Sequence, residues 1–463
     1  MKSVSVSSMH YCNKVKHLIH RFEHIRCYTS PARRTVLRQD RSKITTHEYP
    51  IAKPTDTRVY VWGMAATGAL GMQTSVKKQA KPYTDFIQHP SRLNFAENRD
   101  ILDVAAGYGF SVFAAKCRNG RSLWGTGINT DSQIGYHKLG GQQRKPFELL
   151  IYPAPVELVS VEGNNSAVEI VKVAAGRAHQ LALAVDGTVF ALGSNAYGQC
   201  GREIMKDEDY FHKPVINKIR QLGGPADPVK DVDCGQDHSF FLTESGKLYS
   251  CGWSDDGQTG QGKFGLISTP ALVGGDLQGE RIFKVTGSSD TVLALNDKGE
   301  VFGWGNTEYG QLISDSDDNP QINSPRHLSF LKDCGKIVDI AAGGSYCLAL
   351  NDSGDVFSWG YGILGFGPEV THQPRPALIP PALFGRNDFN PTSRVRAIFA
   401  GVTHSGAIND QDDLYMWGHN RYGCLGFGHK KDQYFPLKVA VSARVMKISC
   451  GVDHTLALCK AFV

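Results

Sequence analysis

From Val229 onward the chain alternates short apolar runs with glycine-bearing turns. Val229-Lys-Asp-Val-Asp-Cys234 leads into Gly235. Phe240-Phe-Leu242 follows, then a turn at Ser245-Gly246, and then Leu248-Tyr-Ser-Cys-Gly252. Runs this short, bounded by turn residues, predict strands and not helices. Three in succession make a meander that cannot cover both of its own faces, so copies must stack.

Copies are present along almost the whole chain. The glycine after the first strand recurs as Gly107, Gly176, Gly235, Gly287, Gly343, Gly401 and Gly451. A small residue precedes it each time: Ala106, Ala175, Cys234, Thr286, Ala342, Ala400 and Cys450. Strands converging on a common axis have no room for bulk, so this column predicts the inner strands of a radial array. A second glycine, followed five residues on by a third, appears as Gly193/Gly198, Gly252/Gly257, Gly305/Gly310, Gly360/Gly365 and Gly418/Gly423. The first copy fits through Gly127, with Trp124 displaced by two positions.

The last copy stops soon after Leu456-Ala-Leu458, and its missing half lies at the other end, in Arg58-Val-Tyr-Val-Trp-Gly63 and Gly68-Ala-Leu-Gly71. Pairing the two ends closes the array and removes its exposed edges. The expectation is an all-β, seven-bladed β-propeller over residues 58–463, its last blade closed by the amino-terminal strands. Long connections at Met72–Arg99, Tyr136–Glu169, Arg202–Pro228 and Phe366–Arg394 read as insertions on its faces.

The pattern Gly-x-x-His, Asp-Gly-x-Val-Phe and Trp-Gly-x-Asn-x-x-Gly-Gln-Leu-Gly resembles the repeat of the regulator of chromosome condensation family. Cys234-Gly-Gln-Asp-His-Ser239, Gly360-Tyr-Gly-Ile-Leu-Gly365, Ile379-Pro-Pro-Ala-Leu-Phe-Gly385 and Asp432-Gln-Tyr-Phe-Pro436 are similar to its mitochondrial branch in animals. The resemblance implies guanine-nucleotide exchange on a mitochondrial, dynamin-like GTPase of the inner membrane. It equally implies the alternative of a non-enzymatic scaffold for mitochondrial ribosome large-subunit assembly, holding ribosomal RNA or its maturation proteins.

Residues 1–50 differ from the rest: they hold ten Lys and Arg against three acids. Val15, Leu18, Ile19, Phe22 and Ile25 fall at helical spacing among basic residues, the pattern of a mitochondrial presequence, with cleavage expected between about Arg26 and Arg41. The expected location is the mitochondrial matrix or the inner-membrane surface, and no run of about 18 apolar residues suggests a span. Without the arm, the 50 basic and 45 acidic residues become 40 and 42. A near-neutral propeller lacks the general basicity of a DNA-binding protein, although Lys77, Lys78, Lys81 and His429-Lys430-Lys431 form local basic patches.

No catalytic, metal or cofactor set emerges. Eleven cysteines contain no Cys-x-x-Cys pair and read as buried thiols. Gly360-x-Gly362-x-x-Gly365 matches a dinucleotide fingerprint only formally, since no βαβ unit surrounds it. His179, His238, His404 and His454 share one repeat position, filled elsewhere by Phe110, Asp290 and Tyr346. One per blade is too dispersed for a ligand cluster, so a ring nitrogen bonded to neighbouring backbone is expected. Asp237-His238 and Asp453-His454 leave open an interface acid–imidazole pair or a polar turn. The connection after the second blade, Lys206-Asp-Glu-Asp-Tyr-Phe-His212, places Tyr210 and Phe211 among charges, a composition common at interface centres. The partner-contact candidates are therefore Tyr210, Phe211, Asp237, His238, Asp453 and His454.

Overall fold

The structure, a computed structural model, describes residues 57–72, 85–118, 120–137, 146–158, 168–220, 222–312 and 320–461. The amino-terminal arm and Lys77, Lys78 and Lys81 lie outside the described residues. Seven four-stranded antiparallel sheets form seven blades. Blades 1 to 6 begin at Ile101, Ile170, Val229, Ile282, Ile337 and Val395; blade 7 takes its two inner strands from Arg444–Cys450 and His454–Lys460. Its two outer strands are Thr57–Met64 and Phe86–Arg92, from the opposite end of the chain. Val59 pairs with Leu458 and Val61 with Leu456, so the closure inferred from the two half-copies is present.

Each blade has four strands where the apolar pattern showed three. Four of the seven fourth strands lie inside the segments that read as long insertions, for example Leu149–Pro155 and His372–Leu378. Their pattern is hidden by proline: Pro90, Pro153, Pro270, Pro325, Pro374 and Pro436 each stand in an outer strand. Proline lacks an N–H to offer, and on an edge strand it discourages pairing with another molecule. Blade 2 differs, with an outer strand of only Asn217–Ile219.

The inner strands contact one another in sequence around the axis. The third residue of each, the fourth in blade 7, forms a charged belt: Asp103, Lys172, Asp231, Lys284, Asp339, Ala397 and Lys447. Lys447 meets Asp103 at 2.5 Å, Lys172 meets Asp231 at 2.7 Å, and Lys284 meets Asp339 at 2.5 Å. Asp103 also accepts the Val173 N–H at 3.1 Å, and Asp339 accepts that of Ile398 at 3.0 Å. Alternating signs cannot close around an odd ring, and the neutral Ala397 stands where they would clash. Outward from the belt, apolar side chains interlock between blades, with Trp62, Trp304, Trp359 and Trp417 fully buried.

Candidate functional site

Strand direction sorts the loops into two faces. The Gly-x-x-His loops join first to second strands, and the glycine-rich loops join third to fourth; both therefore lie on one face, called here the upper face. The segment Lys206–His212 runs between Val189–Gly193 and Asn217–Ile219, both in blade 2. It is thus an upper-face loop within the second blade and not a connection leaving it, a correction that follows from the hidden fourth strand. All six candidate residues belong to this one side.

The histidines prove structural, with hydroxyls of the next blade as partners beside the expected backbone, which His179 meets at His238 and His238 at Gly287. His179 Nε2 lies 3.0 Å from Ser239 Oγ on the next blade, and that hydroxyl donates to the Gln199 carbonyl at 2.7 Å. His404 reaches Thr455 at 3.1 Å, which donates to Cys424 O at 2.8 Å. His454 reaches Ser111 at 2.8 Å, and Ser111 lies 2.8 Å from Ala69 O. Each chain of contacts stitches two blades together. Burial holds His404 and His238 down to about 4 and His179 to about 3, so these rings are neutral. His238 is the exception to the pattern: Val292 occupies the hydroxyl position on blade 4, leaving its Nε2 without a hydroxyl partner. In blade 4 the loop is one residue longer, so Thr291, not Asp290, pairs with Gly305 as His238 pairs with Gly252.

The two acid–histidine pairs have different fates. Asp453 Oδ1 meets His454 Nδ1 at 2.9 Å, and both are buried. Asp237 instead meets Arg177 of blade 2, with Nη2 at 2.6 Å and Nε at 3.2 Å. Burial raises the Asp237 carboxyl to about 6, against the pull of Arg177. With Asp453 at 1% exposure, His454 at 0%, His238 at 2% and Asp237 at 6%, none of the four offers a side chain to a partner. That corrects their assignment as contacts: they build the face from beneath. Arg177 lies 5.7 Å from the ring of Tyr197, which packs 4.7 Å from Trp253.

Glycine spacing misled at blade 5. Gly365 packs against Ile379 and Trp417, as Gly426 packs against Val439 and Trp62, so it is the last glycine of its loop and not the middle one. The loop is three residues short. Elsewhere the tryptophan Nε1–H donates to a loop carbonyl, at 2.6 Å for Trp62 and 2.7 Å for Trp304 and Trp359. Trp417 has lost that carbonyl with the deletion. Tyr361, exposed beside the gap, stacks on Tyr309 at 4.8 Å.

The blade-2 loop joins Gly193 to Asn217 on the upper face. Asn195 Nδ2 donates to the carbonyls of Arg202 and Glu203, both at 3.1 Å, and Arg202 pairs with the buried Glu208. Asp209 Oδ1 accepts the His212 N–H at 2.9 Å, and Ser132 of blade 1 donates to Phe211 O at 3.2 Å. Asp207 takes a left-handed φ of 56°, completing a tight bend. Tyr210 and Phe211 are half-buried supports of this frame, and burial together with Glu208 raises the Tyr210 hydroxyl to about 12. The exposed tip is Ile204 at 38% and Met205 at 52%. Composition pointed to the aromatics; the signal for the tip was an Ile-Met pair in a stretch without strand periodicity.

On the lower face, a bulge near the start of each inner strand leaves one residue outside the pairing register. Leu102, Phe283, Val338 and Met446 are therefore exposed around the axis, and Phe389 stands almost fully exposed on a tight turn.

The RCC1-like domain pattern matches residues 46–386 and 227–461. The RCC1-like G exchanging factor-like proteins of Mus musculus and Homo sapiens are each 40% identical to this chain. The mouse match covers 88% of both chains, and the human match 88% of this chain and 87% of the relative. The crystal structure of human WBSCR16, at 40% identity, superposes with a TM-score of 0.80 over 87% of this chain and all of that one. Prp20p of Saccharomyces cerevisiae, at 19% identity, shares the fold with a TM-score of 0.68, over 88% of this chain and 92% of its own. The chain is a member of the RCC1-like domain family.

Proposed function

We propose that this protein is a guanine-nucleotide exchange factor for a GTPase in the mitochondrion, at finer grain a dynamin-like GTPase of the inner membrane. The observation carrying the reading is the blade-2 loop: an apolar tip, Ile204-Met205, held on a hydrogen-bonded frame above a rigid propeller. Exchange needs no chemistry on the nucleotide. It needs a surface that binds the nucleotide-free GTPase more tightly than the loaded form, since a ligand shifts an equilibrium only by its differential affinity. A pre-ordered loop loses little conformational entropy on contact, so its binding energy is available to displace the segment holding magnesium and phosphates. The G exchanging factor-like names of the relatives support the activity, and the basic helical arm supports the location.

Crosslinked capture from matrix and inner membrane tests the partner class. A GTPase enriched by the wild-type chain, and depleted by Ile204→Asp/Met205→Asp, is the expected result. Dominant large-subunit ribosomal proteins and ribosomal RNA, unaffected by that change, would replace exchange with the assembly scaffold.

A further inference from the structure

The upper face is electrically polarised across its diameter. Over blades 6 and 7, Lys430 lies 4.3 Å from the centre of the Phe86 ring, Phe86 stacks on Tyr422 at 6.2 Å, and Arg421 lies 5.5 Å from the Tyr422 ring. The four side chains form one ledge in which aromatic faces hold two cations in place. Lys431 stands exposed beside it, and among the described residues Arg421, Lys430 and Lys431 make no ion pair, three cations against the exposed Asp85 that precedes Phe86. Nearby Asp432 is committed elsewhere, accepting from His419 at 2.9 Å and from the Asn420 N–H at 2.8 Å.

Blades 3 and 4, on the opposite side of the ring, carry the reverse charge. Asp255 and Glu308 are exposed. Asp256 is held by the neutral amide of Gln321 at 2.6 Å, and Asp290 by that of Gln258 at 3.1 Å. Amides orient a carboxylate without cancelling its charge, so these carboxylates outnumber the exposed Lys263 of the blade-3 loop and the sector is net negative.

We infer that the Arg421–Tyr422–Phe86–Lys430 ledge is the docking site for an acidic surface of the GTPase partner, and that the acidic sector of blades 3 and 4 receives a basic surface of the same molecule. The inference rests on the exchange reading and adds the partner's charge pattern and its orientation over the face. A polyanion such as RNA fits less well. A strand crossing the face would meet the carboxylates of Asp255, Asp256, Asp290 and Glu308, and both exposed ends of the aromatic stack are already covered by cations. A folded protein with separate acidic and basic patches satisfies both sectors in one orientation only, which sets where the blade-2 tip falls on it. Complementary charge of this kind acts mainly on the rate of encounter and is screened by salt.

The test measures association of the full-length chain with the GDP-loaded GTPase domain of the inner-membrane dynamin-like protein, by stopped flow at low and high salt. Lys430→Glu/Lys431→Glu and, separately, Asp255→Lys/Glu308→Lys are each expected to slow association by roughly tenfold at low salt. The difference should shrink to within about twofold in 1 M salt, where the screening length is about 3 Å. All four positions are exposed, and unchanged melting temperatures confirm folding. Wild-type association that is equally fast in both variants at low salt overturns the polarised docking while leaving exchange intact. Loss of single-stranded RNA binding in the lysine variant, with GTPase association unchanged, overturns it in favour of an RNA ledge. No association of the wild-type chain at either salt removes both this inference and the exchange reading.

Discussion

His454 of blade 7 lies 2.8 Å from Ser111 of blade 1, joining the blade in which the two ends of the chain meet to its neighbour. The same contact joins blade 2 to blade 3 and blade 6 to blade 7, so the junction of blades 7 and 1 is stitched like the others. The break in the chain lies inside blade 7, where the Thr57–Met64 strand pairs with His454–Lys460 and backbone hydrogen bonds carry the closure.

Removing or adding one hydroxyl in this series should have opposite effects. Thr455→Val leaves His404 Nε2 unpaired in a buried site and the Cys424 carbonyl with the Trp62 donor alone, and should cost about 1–3 kcal/mol. Val292→Thr supplies His238 with the missing hydroxyl, which can in turn donate toward Gln258 O. It should be neutral or stabilising by up to about 1 kcal/mol. Urea unfolding of both variants measures the pair, and a destabilised Val292→Thr protein would contradict the role assigned to the hydroxyl.

The buried imidazoles set a pH dependence. His404 is held down to about 4, below the ordinary histidine value of about 6.5. The unfolded chain therefore takes up a proton as pH falls below about 6.5, while the native protein does so only near the lower value. This contribution is fully present above about pH 6.5 and is lost as pH falls from there towards 4. Asp233 and Asp237, raised by burial to about 7 and about 6, act in the opposite sense, so the total curve mixes the two. The variant difference isolates the histidine: His404→Gln should lose less melting temperature between pH 7 and pH 5 than the wild type. An equal or larger loss would contradict a neutral buried ring.

Closure makes a further prediction at Trp62. It is fully buried and donates to Cys424 O of blade 6 at 2.6 Å. Trp62→Ala should cost about 3–5 kcal/mol, against a total stability of about 5–15 kcal/mol. Starting the chain near residue 65 should be more damaging still, because it strips the strand paired with Leu456 and Leu458. An unchanged melting temperature in either variant would be inconsistent with closure by the amino-terminal strands.

The frame beneath the tip should matter less than the tip. Tyr210→Ala/Phe211→Ala removes two half-buried supports, loosening the loop without removing its apolar end. Partner capture should weaken by about 2 kcal/mol or more if the frame's order is what the tip needs. Calorimetric titration of the GTPase domain into this variant and into Ile204→Asp/Met205→Asp ranks the two. A larger loss in the aromatic variant would return the contact role to Tyr210 and Phe211.

The inner three strands of each blade were legible because burial on both faces imposes apolar runs, and the glycines mark positive-φ turns such as Gly246 at 86°. Outer strands were not, because half-exposed residues and proline break the alternation in segments such as Gln433–Val439. The charged belt was written in the sequence too, two residues beyond the strand start in six blades and three in the seventh. It stays hidden until the inner strands are set in a ring, where Asp103 and Lys447 become neighbours. The histidine column was readable, but its hydroxyl partners lie one blade away. The one-residue insertion at Asp290 and the three-residue deletion before Gly365 shift register without changing composition, and only strand pairing reveals them.

The most direct measurement is release of a fluorescent GDP analogue from the GTPase domain of the inner-membrane dynamin-like protein, followed with the full-length chain in excess. The wild type should accelerate release by about tenfold or more, an amount equal to about 1.4 kcal/mol of differential binding. Ile204→Asp/Met205→Asp should abolish the acceleration at an unchanged melting temperature, while Phe283→Asp on the lower face should leave it intact. Release no faster with the wild-type chain than without it, or an effect lost equally in the Phe283→Asp protein, would contradict exchange through the blade-2 loop.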